Sequence, residues 1–184
     1  MNSASPNRHC TVTPADQRRF TRLVSDVAAC AACGRVAHSH VLGAANGPLD
    51  ADVLFVAEAV GRRGGAVTGV PLTRDVSGQR FNAFLGLAGI DRTRVFITNA
   101  VLCNPLDAAG RNRMPSRAEV ARCRPFLERT LAVVRAPVVI ALGRVALEAL
   151  RALEPHELEL AADVARPAPW AGRALVAMYH PSLQ

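Results

Sequence analysis

The sequence predicts an α/β fold of three layers, α/β/α, around a central four-stranded parallel sheet. Two observations carry this expectation. Val53–Ala57, the run opening at Val95, Val138–Leu142 and Ala174–Met178 are short and apolar throughout, without the alternation of a sheet that has one wet face. Helical periodicity separates them, and strands alternating with helices form parallel sheets covered on both sides.

The elements follow in order. Residues 1–13 are polar and are expected to form a disordered tail, with residues 14–184 as one α/β domain. Phe20, Leu23, Val24 and Val27 fall at helical spacing, so Pro14–Ala29 reads as an amphipathic helix that runs into Cys30-Ala-Ala-Cys33-Gly34. Residues 36–48 read as irregular or as a short edge strand, closing on the turn signal Asn46-Gly47-Pro48. The Val53 strand ends at Glu58 and gives way to a glycine-rich loop, Gly61-Arg62-Arg63-Gly64-Gly65. Ser77–Leu87 reads as a helix with Phe81, Phe84, Leu85 and Ala88 on one face. The strand from Val95 delivers Asn99 and Cys103 near its end, and Pro105 stops it. A polar loop spans residues 107–115. Ser116 and Glu119 form a capping box, opening a helix that carries Cys123 and runs to about Val134. Gly143 ends the third strand, residues 145–153 form a helix, and the fourth strand leads to Tyr179-His180-Pro181-Ser182.

Composition narrows the function classes. No apolar run reaches the roughly 18–20 residues of a membrane span, no secretory leader is visible, and a cytoplasmic protein without a membrane partner is expected. The net charge is +7, and all 22 basic residues are arginine. Much of the choice of arginine over lysine follows from an Arg- and Ala-rich composition, but the excess positive charge favours a polyanionic partner. Aromatic residues are scarce, which argues against a stacking platform for single strands.

Chemistry-bearing residues gather at one edge. Glu58, Asn99 and His180 all follow apolar strands, and open parallel sheets bind ligands beyond the carboxyl ends of their strands. Cys30, Cys33, Cys103 and Cys123 form a second set. A Cys-x-x-Cys pair alone is weak, and disulfides are disfavoured in a reducing compartment. Four thiols leave open an iron–sulfur cluster, a zinc site or unrelated buried cysteines. Cys10, the fifth, reads as a free thiol in the tail.

From about Val27 to Ser182 the chain resembles the iron–sulfur uracil-DNA glycosylases, families IV and V of their superfamily. The resemblance rests on Cys30-x-x-Cys33, on Asn99-x-x-x-Cys103-x-Pro105, on Cys123 in the next helix, on Asn112-Arg113-Met114-Pro115 and on His180-Pro181-Ser182. It implies a glycosylase-like fold and a DNA-repair hydrolase acting as a monomer. Such an enzyme cleaves the glycosidic bond of uracil or a related deaminated base and leaves an abasic site. It implies a [4Fe-4S] cluster on Cys30, Cys33, Cys103 and Cys123, with zinc as the alternative. Asn99 would read the extruded base, His180 would stabilise the departing base anion, and Glu58 would position water, with Ala59 beside it lining the base pocket. Arg62, Arg63, Arg74, Arg111 and Arg113 would meet phosphates, with Ser182 and Leu183 at the DNA surface.

The sequence also departs from the family IV pattern. Val60 stands for the proline of the first motif, Arg62-Arg63-Gly64-Gly65 replaces an acidic stretch, and Leu72 stands where a phenylalanine stacks on the base. Thr73-Arg74-Asp75-Val76-Ser77-Gly78 is similar to family V. The resemblance implies a final helix after His-Pro-Ser that this sequence does not reach, so a shortened carboxyl end is expected. These departures keep a second expectation in view, a weakly active or non-catalytic DNA- or uracil-binding relative that retains the cluster. A redox or zinc protein of similar fold is a third.

Overall fold

The computed structural model describes residues 11–182. The tail thiol Cys10 and the DNA-surface candidate Leu183 lie outside the described residues.

Helix α1 (Pro14–Ala28) begins where the sequence places it. Thr13 accepts from the Asp16 amide, the Asp16 carboxylate accepts from the Thr13 amide, and Pro14 occupies the first turn, where an N–H would have no partner. Asp16 is buried and also paired with Arg135, which fixes the helix to the start of a later strand. A two-residue strand β1 (Val36–Ala37) follows, then a 3₁₀ turn at Ala44–Asn46.

Strand β2 (Val53–Ala59) runs two residues past its expected end, so Glu58 is inside the strand. A one-turn helix α2 (Gly65–Thr68) interrupts the glycine-rich segment, and α3 (Val76–Leu87) starts on the Asp75 cap. Strand β3 (Val95–Val101) is followed by the short β4 (Asn104–Pro105), which pairs antiparallel with β1. Helix α4 (Arg117–Val133), strand β5 (Val138–Leu142) and helix α5 (Arg144–Arg151) come next. Strands β6 (Pro167–Trp170) and β7 (Arg173–Met178) close the main sheet.

The main sheet has five strands in the order β3-β2-β5-β7-β6. The first four are mutually parallel, as expected. The fifth, β6, corrects the four-stranded expectation: it is an antiparallel edge strand paired with β7. Its sequence, Pro-Ala-Pro-Trp, hides it, because proline cannot donate to a ladder and is tolerated only at such an edge.

Alternation along the strands divides two cores. Leu54 and Val56 join Phe96, Val139 and Leu175 against α1, α4 and α5, whereas Phe55 and Ala57 join Ile97 against Phe81 and Leu85 of α3. The α3 stripe is therefore Phe81 and Leu85. Phe84 and Ala88, expected on the same face, are exposed.

The order in which strands are added reverses at β2, with β3 on one side and β5 on the other, and that opens a crevice at their carboxyl ends. The capping box at α4 builds one wall of it. Glu119 accepts from the Ser116 amide and from both terminal nitrogens of Arg113 at 2.8 and 2.6 Å. The Arg113 guanidinium holds the Glu119 carboxyl down at about 2, well below the ordinary 4.5. A depressed carboxyl contributes stability that is complete above the unfolded value and disappears as pH falls toward the folded one. Stability measured by urea unfolding is therefore expected to decline between pH 4.5 and about 2. Glu119→Gln is expected to remove about 2–4 kcal/mol at neutral pH and to flatten that decline.

Candidate active site

A cavity of about 370 Å³ opens at the carboxyl edge of the sheet. Glu58 and Ala59 reach it from β2, Asn99 from β3, and His180 and Ser182 from the segment after β7. Leu72 and Asp75 reach it from the loop before α3, and Arg113 and Met114 from the loop before α4. Seven residues singled out from sequence, Glu58, Ala59, Leu72, Asn99, Arg113, His180 and Ser182, thus line one space.

Asn99 sits in a strand buried along its whole length and is only 3% exposed. Its Nδ2 has no hydrogen-bond partner among the described residues, an expensive state for a buried amide unless a ligand completes it. Asn46 braces the same strand, donating from Nδ2 to the Ile97 carbonyl at 2.6 Å.

His180 faces the cavity with a defined hydrogen-bond pattern. Its Nδ1 accepts from the Ser182 amide at 3.2 Å, so a neutral ring carries its proton on Nε2. Burial pushes its pKa below 6.5, and the nearby Asp75 charge opposes that push only in part. Gly143, with φ +87°, lies against the His180 Cβ, leaving room for no side chain there.

Glu58 occupies the opposite face of β2 from Ala57 and Ala59, toward the α5 side. Burial raises its pKa, and Arg144 at the start of α5 pulls it back. Leu72 is held in the left-handed region at φ 49°, with Arg74 likewise at 66°. The loop presses on the first turn of α3, where a Cβ on Gly78 would meet Thr73 backbone at 2.5 Å.

Residues missed by the sequence reading complete the walls. Asp75 caps α3 through Oδ1, which accepts from Gly78, while Oδ2 lies against Gly61 and Gly64, leaving no space for side chains there. In the sequence Asp75 stood only within a run similar to family V, and neither its cap nor its place in the cavity was read there. Asn104 donates to the Val60 carbonyl at 2.7 Å and to Asn112 at 3.0 Å, and Asn112 accepts from the Arg62 amide. That chain ties the glycine-rich loop to β4, and no local pattern signals it.

The arginines separate into groups. Arg62, Arg63 and Arg74 border an exposed groove beside the cavity. Arg111 is exposed and pairs with Asp107 at 2.9 Å. Arg113, besides Glu119, donates to the carbonyls of Leu106, Met114 and Arg35, so its guanidinium is committed to holding this loop.

The four cysteines converge beneath this edge around a small apolar cavity shared with His38 and Phe126. The Leu102 amide donates to Cys123 Sγ at 3.4 Å, and backbone amides of His40 and Ser39 point at Cys103. Burial pushes the Cys123 thiol up to about 11 and raises Cys103, with the neighbouring thiols adding to both shifts. Buried sulfurs that already accept amide hydrogens need only a cation to become thiolates, so the donor set fits a metal centre. Ligand atoms of His38, His40 and Cys103 also lie within 4.8 Å of one another, a His/Cys group able to hold a metal.

Gly78→Ala is expected to cost about 1–3 kcal/mol in denaturant unfolding, because the Leu72–Thr73 backbone must move to admit the methyl.

Comparison with known proteins agrees with this geometry. The family model described as the uracil DNA glycosylase superfamily matches residues 44–184. A type-4 uracil-DNA glycosylase of Pyrobaculum aerophilum is 36% identical over 88 residues, covering 48% of this chain and 43% of that protein. A type-4 enzyme of Thermotoga maritima is 29% identical over 168 residues, covering 90% of this chain and 83% of the relative. A type-5 uracil-DNA glycosylase of Pyrobaculum aerophilum is 37% identical over 117 residues, covering 56% and 50%. The chain spans about half the length of most curated relatives it matches. With the match extending over most of its length, the chain belongs to the uracil DNA glycosylase superfamily.

Proposed function

We propose that the protein is a DNA-repair glycosylase that releases uracil, or a related deaminated base, from DNA and leaves an abasic site. The unpartnered Asn99 amide carries the reading. A carboxamide both donates and accepts, so it can meet uracil O4 and N3–H together once the base has left the stack. What supports an enzyme over a non-catalytic relative is that Glu58 from β2, Asn99 from β3 and His180 from the segment after β7 line the same cavity.

The roles follow from the local chemistry. Neutral His180 donates from Nε2 toward uracil O2, where charge accumulates as the glycosidic bond breaks. Glu58, whose pKa burial raises and Arg144 pulls back only in part, orients in its carboxylate form the water that attacks the sugar. Ala59 and Leu72 are the apolar sides of the base pocket. Arg62, Arg63 and Arg74, exposed beside its mouth, take phosphates, with Ser182 at the same rim. Arg111 joins them when it leaves Asp107.

Cys30, Cys33, Cys103 and Cys123 would hold a [4Fe-4S] cluster, in keeping with their layout. When bound it would tie the end of α1, the exit of β3 and α4 together as a structural joint. A monomer acting in the cytoplasm on DNA fits the exposed arginines and the free thiols. No helix among the described residues is long and apolar enough to cross a membrane.

The test is a single-turnover assay on an oligonucleotide with one deoxyuridine. Asn99→Ala and His180→Ala are each expected to lower release by about 100-fold or more while leaving bound iron unchanged. No alkali-labile site after long incubation with excess wild-type protein would sink the glycosylase reading. Because burial lowers the His180 pKa, its neutral form persists below pH 6.5. Release is therefore expected to hold its rate as pH falls through that value, and a midpoint above it would contradict the neutral role. Cys103→Ala is expected to do the reverse of the pocket variants, losing iron and thermal stability first.

A further inference from the structure

A second groove, of about 520 Å³, lies between α4 and α5. Arg117 and Arg124, seven residues apart, lie on the same face of α4 with Val120 between them, and Arg144 faces them from the start of α5. Arg117 and Arg124 are exposed and have no ion-pair partner among the described residues. The one acid in the groove, Glu148, is engaged by Arg151 at 2.7 Å. Exposed Met114 lines both this groove and the candidate active site, so the two adjoin there.

Arg117 and Arg124, free of ion pairs among the described residues beside an apolar floor that adjoins the base pocket, suit a polyanion whose charges recur along a line. We infer that the α4–α5 groove is a second nucleic-acid contact, taking the phosphate backbone of duplex DNA that flanks the extruded base. This rests on the reading of the main cavity as a DNA site and extends it. This groove shares Met114 with the main cavity, whereas the groove bordered by Arg62, Arg63 and Arg74 shares Asp75 with it, so the two sets of arginines would hold the duplex on both sides of the lesion. Aromatic side chains are absent from its walls, which removes the stacking that a single strand would need.

The experiment measures binding of the full-length protein to an unmodified duplex across a salt series. Each phosphate contact on duplex DNA contributes about 0.9 to the slope of log K against log salt. Arg117→Gln/Arg124→Gln is expected to lower the slope by about 1.8 and to weaken binding roughly tenfold to a hundredfold near 0.1 M salt. Arg117→Lys/Arg124→Lys is expected to restore both, and Arg18→Gln/Arg22→Gln on α1 to leave the slope unchanged. A slope equal to wild type in the glutamine variant, with its unfolding midpoint retained, overturns the inference. A change seen only with a single-stranded probe overturns the duplex assignment. Uracil release is read in the same samples with a deoxyuridine duplex. An unaltered slope defeats the groove, whereas absence of release by wild-type protein defeats the glycosylase reading alone.

Discussion

Seven consecutive residues of β3 are shielded from water, and the Asn99 carboxamide is among them. A polar group at that depth needs a partner, and among the described residues Nδ2 has none. The surrounding structure holds this unsatisfied group in place. Parallel pairing with β2 sets Asn99 beside Ala57, Asn46 anchors the strand from behind, and the α3 core packs along the same face. A side chain that must wait for its ligand is best carried on the most rigid element available, and β3 is that element.

Around it, the walls are held by polar interactions that leave little freedom. Arg113 and Glu119 join the loop before α4 to its first turn, and Asn104 and Asn112 join the glycine-rich loop to β4. Asp75 has two tasks, capping α3 with one oxygen and packing the other against Gly61 and Gly64. Leu72 occupies a left-handed conformation that an L-residue adopts only under such constraint. The thiol cavity sits beneath the same edge, with Cys103 four residues beyond Asn99 and Cys123 bonded to the Leu102 amide. Chemistry at the pocket and integrity of the thiol set therefore share one stretch of chain.

Much of this was legible in the sequence, and the reasons differ by element. The four parallel strands announced themselves as apolar runs because both of their faces are covered. The α4 cap was visible because capping is local: a hydroxyl and a carboxylate three residues apart suffice. Asn99, His180 and the four cysteines stood out because polar groups and thiols at strand exits are informative wherever they fall. Edge strand β6 was hidden because its prolines contradict strand propensity, and only its β7 partner makes it a strand. Phe84 was misplaced because helical spacing alone does not say which side of a short helix meets the sheet.

Composition and pattern alone thus determined the fold class, the chain order of its parallel strands and the chemical types at its active edge. Tertiary structure alone decided which of those groups share a cavity. Asp75 entered the pocket through the packing of a loop on α3, whereas Arg113 was drawn into an ion pair that holds the wall. The pairing of Arg117 and Arg124 with Arg144 across a groove is equally a product of two helices meeting. Capping and helical or strand periodicity are set by near neighbours in the chain, and so are written locally. Convergence of side chains from β2, β3 and β7 depends on how distant segments stack, and no local pattern encodes it.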